Sequence, residues 1–80
     1  MTANGAVRQR ILDLCKSHDI TLNKLGTICG VTQSTLNNII NTDNNNPTIS
    51  TIAKICDGLN INIREFFDNE LFEDTEQEVK

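Results

Sequence analysis

Tryptophan and tyrosine are absent from this 80-residue chain, which has one proline, one histidine and one methionine. No run approaches the roughly 20 apolar residues of a membrane span. The opening MTANGAVRQR lacks the apolar core of a signal peptide, so a cytoplasmic protein is expected. The three cysteines, Cys15, Cys29 and Cys56, are far apart and form no CxxC pair, and His18 stands alone. That excludes a disulfide framework and a zinc site of ordinary spacing. Each cysteine falls on or beside an apolar helical face and reads as a buried, reduced thiol. His18 falls near a helix C-terminus, where it favours the dipole. There is no Cys/His pair, glycine-rich phosphate loop or pocketed carboxylate pair. The chain therefore reads as a non-enzyme, with no cofactor, metal or small-molecule substrate.

Charge is scarce where a nucleic-acid partner would want it, and unevenly spread. The net charge is −4. Residues 1–64 hold six cations against four acids, and residues 65–80 hold seven acids against one lysine. The body is thus mildly basic and the acidity sits in the C-terminal segment. A body of this weak charge is in tension with strong phosphate binding.

What is present is helical periodicity, with no strand pattern. Val7, Ile11, Leu14 and Cys15 make one apolar stripe on a first helix from about Asn4 to His18. Thr21 can cap a second helix, Leu22 to about Cys29, and Thr32 a third, Gln33 to about Ile40. Between them Gly30 can take the positive φ of a tight turn, and Gly26 allows close helix approach. This is the spacing of a helix-turn-helix. The polar run Asn41–Pro47 then makes a loop. Thr48 caps a fourth helix carrying Ile49, Ile52, Ala53, Cys56 and Leu59, weakened near its end by Gly58. Asn62 can cap a short fifth helix through Ile63, Phe66 and Phe67. The expectation is an all-α fold of five short helices, a domain over residues 1–68 and an acidic extension over 69–80.

The third helix buries Leu36 and Ile39, leaving Gln33, Ser34, Thr35, Asn37 and Asn38, all polar and uncharged. Amides and hydroxyls on an outer helix face suit base edges in the major groove of double-stranded DNA. Gln33 lies at the end that points into the groove, and Asn37 shares its face one turn on; each amide can bond N6 and N7 of adenine. Thr35 would meet a thymine methyl, and Ser34 and Asn38 phosphates. Asn44 and Asn45 in the loop, with Arg10 and Lys24, are further candidates for the phosphate backbone. Phe66, Phe67, Leu71 and Phe72 crowd the C-terminal segment beyond what a small core absorbs easily; Phe66 or Phe67 can close the bottom of the core, and part of the cluster is expected to form a homodimer contact. Two such helices one DNA turn apart would read a pseudo-palindrome together.

These residues resemble the Xre/Cro and phage-repressor type of helix-turn-helix regulators, from about Val7 to Phe67. Arg10-Ile11 with Leu14 is similar to the first-helix motif of that family. Gly30-Val31-Thr32-Gln33-Ser34-Thr35-Leu36 is close to its turn and recognition helix. Asn46-Pro47-Thr48-Ile49, Thr51-Ile52, Lys54-Ile55 and Leu59 look like its fourth helix, and Ile63 with Glu65-Phe66-Phe67 resembles its fifth. The resemblance implies a lambda-repressor-like domain acting as a transcriptional repressor, with Gln33 and Ser34 as base and phosphate contacts. Three departures stand out. The family often has glutamine where this chain has Leu22, alanine where it has Gly26, and a cation in the recognition helix, where it has none. The leading expectation is a DNA-binding regulator. The alternative is a protein-interaction module or antitoxin on the same fold, its acidic tail binding a partner.

Overall fold

The computed structural model describes residues 1–41 and 47–75. In order these form α1 (Ala3–Ser17), α2 (Leu22–Cys29), α3 (Gln33–Asn41), α4 (Ile49–Leu59) and α5 (Ile63–Phe67), then a 3-10 turn at Glu70–Phe72. The expected all-α architecture is what forms, with no strand among the described residues.

Each helix starts where a side-chain oxygen replaces a missing intrahelical partner. Thr21 Oγ1 accepts the Lys24 N–H at 3.0 Å, Thr32 Oγ1 that of Thr35 at 3.2 Å, and Thr48 Oγ1 that of Thr51 at 3.1 Å. Asn62 and Glu65 form a reciprocal capping box, which lets a helix of only five residues start cleanly. Thr2 accepts the Gly5 N–H at 3.1 Å and sets the start of α1 at Ala3. A cap of this kind contributes about 1 kcal/mol. α2 ends at Gly30, whose φ of 71° is the left-handed conformation that glycine adopts without strain. His18 closes α1, its Nδ1 lying 2.9 Å from the Leu14 carbonyl.

The core lies where the apolar stripes of all five helices meet, with Ile11, Leu25, Leu36, Ile55 and Phe66 fully enclosed. No polar or charged residue is buried among the described residues. α2 packs most heavily on α4, and Gly58 explains why. A Cβ there would stand 2.9 Å from the Cys29 Cα and against its sulfur, so only a bare backbone allows this approach. By propensity Gly58 is a weak spot near the end of α4; in the fold it is the contact point of two helices. Cys15, Cys29 and Cys56 are free and buried, and burial pushes all three thiols up from their ordinary value. Cys29 donates its S–H to the Ile55 carbonyl at 3.5 Å.

The C-terminal segment departs from expectation. Phe66 is 0% exposed, so it closes the core and cannot serve as a dimer contact. Phe67 and Phe72 are half-buried and pack against that core. The three rings form one cluster: Phe67 lies 4.9 Å from both Phe66 and Phe72, edge to face. The 3-10 turn packs on α1. Residues 69–72 therefore belong to the folded body, beyond the expected domain end at residue 68.

Candidate nucleic-acid interface

The α2–turn–α3 unit is held by its backbone before any side chain reaches outward. The Gly26 carbonyl accepts the N–H groups of both Gly30 and Val31, the latter at 3.0 Å. A Cβ on Gly26 would meet the Val31 carbonyl oxygen at 2.7 Å and Leu36 Cδ1 at 3.1 Å. The two helices thus cross closer than an alanine would permit. Leu36 and Ile39 are buried under α3, which fixes the helix's rotation about its axis.

That rotation leaves Gln33, Ser34, Thr35, Asn37 and Asn38 exposed, together with Asn41 at the helix end. Gln33 Nε2 donates to Asn37 Oδ1 at 3.0 Å. Thr32 donates its hydroxyl to Thr35 Oγ1 at 2.8 Å while accepting the Thr35 backbone N–H. The Gln33–Asn37 bond was not anticipated, although amide pairs four residues apart on a helix are neighbours. The face offers donors and acceptors without charge, on a helix whose N-terminal end carries a partial positive charge. It is chemically equipped to bond base edges and phosphate oxygens.

The expected cations divide. Lys24 is exposed on α2. Arg10 is turned inward: its Nε donates to the Phe66 carbonyl at 2.7 Å and Nη2 to the Glu65 carbonyl at 2.9 Å. Its guanidinium also lies 6.0 Å from the Phe66 ring centre. These carbonyls are near the C-terminal end of α5, where helical partners run out. Arg10 is therefore a clamp between the first and last helices, with two of its donors committed to α5 carbonyls where a phosphate contact was expected. The other described arginines and lysines are spread over α1, α4 and α5, and α3 has none. Asn44 and Asn45 lie outside the described residues.

Among the described residues, no group of histidine, cysteine and carboxylate side chains is arranged to hold a metal. Likewise, no helix is long and apolar enough to cross a membrane.

Comparison with known proteins gives the same picture. Residues 10–70 match the Cro/C1-type HTH DNA-binding domain family. Among solved structures, the chain is similar to one described as the prophage Lp1 protein 11, at 31% identity and a TM-score of 0.82. That match covers 94% of this chain and 99% of the other. A search of curated proteins finds no match. The family match spans the α2–turn–α3 unit, α4, α5 and the C-terminal half of α1, so the chain belongs to the Cro/C1-type helix-turn-helix DNA-binding family.

Proposed function

We propose that the protein is a cytoplasmic transcriptional regulator, a repressor, that binds a pseudo-palindromic operator as a homodimer. The observation that carries this reading is the outer face of α3: five exposed polar, uncharged side chains on a helix fixed by two buried ones. In the complex α3 enters the major groove with Gln33 leading. Ser34, Thr35 and Asn38 line the same approach, and Lys24 with loop residues Asn44 and Asn45 meets the phosphate backbone. The folded body extends through Phe72, and the acidic residues beyond it form the extension.

Dimerisation follows from the weak charge, because one uncharged recognition helix binds DNA poorly. With Phe66 enclosed, a different surface supports the pairing. A shallow groove of about 510 Å³ runs between α4 and α5, lined by Ala53, Cys56, Ile61 and Ile63, with Asp57 and Arg64 on it. Ile63 is 40% exposed. Asp57 and Arg64 give this lining one charge of each sign, which two copies would pair across a two-fold axis. Phe67, Leu71 and Phe72, each half-buried, keep some apolar surface for the same pairing.

Selection of bound duplexes from random DNA tests the reading. The expected outcome is a two-fold symmetric site with half-sites about 34 Å apart, bound with a shallow salt dependence. No enrichment over random sequence would overturn the function. An asymmetric site would overturn the dimer.

A further inference from the structure

We infer that Asn37 is a positioning residue for Gln33, holding the Gln33 amide in the orientation that reads a base. This rests on the proposed role of α3 as the recognition helix, and it assigns Asn37 a different task from the independent base contact first expected of it.

The geometry starts from the direction of helical side chains. They lean toward the N-terminus, so residue 37 reaches back over residue 33. The Asn37 Oδ1 accepts from Gln33 Nε2 at 3.0 Å, on a surface where both residues are exposed. A terminal amide nitrogen has two hydrogens. With one of them on Asn37, Gln33 keeps the other N–H and the whole of Oε1. That donor–acceptor pair is the edge that adenine N7 and N6 require. The bond therefore restricts Gln33 without consuming the groups that would read the base.

The opposite side of the amide faces α2. Gln33 Oε1 lies 3.9 Å from the point a Cβ on Gly26 would occupy. The amide thus sits between the bare backbone of α2 and the Asn37 side chain. Leu22, at the start of α2, has no polar side-chain group with which to orient it. The brace comes from within α3.

An Asn37 that reads a base in two-pronged fashion needs Oδ1 facing the groove. An Asn37 that braces Gln33 has that oxygen engaged along the helix. The two roles predict different behaviour for Asn37→Asp, which keeps the acceptor for Gln33 but removes the outward N–H donors.

The test measures binding of the full chain to a selected operator and to its single-base variants. Base preference, as the ratio of affinities at one pair, is read for wild type, Gln33→Ala, Asn37→Ala and Asn37→Asp. Gln33→Ala identifies the pair that Gln33 reads. At that pair, Asn37→Ala should lower the preference about 2- to 10-fold, the cost of ordering one freed side chain. Asn37→Asp should hold the wild-type preference there, although its charge weakens binding to every operator alike. Circular dichroism should show all three variants as helical as wild type, since the changed side chains are exposed. Unchanged preference at the Gln33 pair in Asn37→Ala would overturn the brace and leave Gln33 as a reader. Equal loss in Asn37→Ala and Asn37→Asp would also overturn it. No relaxation anywhere in Gln33→Ala would overturn the reading of α3 itself.

Discussion

On the outer face of α3, side-chain hydrogen bonds join near neighbours: Thr32 to Thr35, and Gln33 to Asn37. Around α5 a local capping box is joined by bonds that cross the whole chain, Arg10 reaching carbonyls 55 and 56 residues away. Below that clamp the Phe66 ring is fully enclosed, while the amides of α3 stand in solvent. A bond between residues four apart can be given up with the helix intact. A bond between the first and last helices cannot be lost without loosening their packing. The domain thus separates two duties in space. The Arg10–α5 bonds tie distant parts of the chain together, and the outer face of α3 carries only bonds between its own near neighbours.

Substitution at the two ends probes this division, and the largest effect belongs to Phe66. Phe66→Ala removes the fully enclosed ring and should cost about 3–5 kcal/mol, most of the stability of a domain this small. Urea denaturation would show it; a loss below about 1 kcal/mol would mean the ring cluster collapses into the gap. Arg10→Met keeps the aliphatic stem but ends both bonds to α5. It should cost about 2 kcal/mol, since bonds to charged groups are worth roughly 1.5–3 kcal/mol, and should lower Tm by roughly 10 °C. If binding fell while Tm held, Arg10 would be a phosphate contact after all.

Gly26→Ala tests the boundary between the two regions. Helix propensity favours alanine by about 1 kcal/mol. Against this, the new methyl would press on the Val31 carbonyl oxygen, a backbone atom that cannot step aside cheaply. Overpacking of this kind costs about 1–3 kcal/mol, so a net loss of about 1 kcal/mol is expected. A gain in thermal stability would show that α2 and α3 part easily.

Much of this architecture is legible in the sequence, because local rules govern it. Apolar spacing locates all five helices, and Thr21, Thr32, Thr48 and Asn62 mark the starts of the last four. The turn glycine and the polar face of α3 follow from positions a few residues apart. What stayed hidden depends on distant partners. Nothing near Arg10 announces carbonyls on α5, so a cation in a DNA-binding chain reads as a phosphate contact. Three phenylalanines in a short segment look too many for a small core until the 3-10 turn folds Phe72 back onto it. Gly58 reads as a flaw in α4 because Cys29, its close neighbour, is on another helix. The Gln33–Asn37 brace is the exception, a local pair whose spacing was visible and whose bond became evident only with the rotamers.

Gln33→Ala puts the central division to its most direct test, measured for stability and for binding on the same preparation. Unfolding free energy should change by no more than about 0.5 kcal/mol, with about 1–3 kcal/mol of base discrimination lost at one operator pair. Discrimination equal to wild type at every pair, or a stability loss like that of Phe66→Ala, would contradict that division.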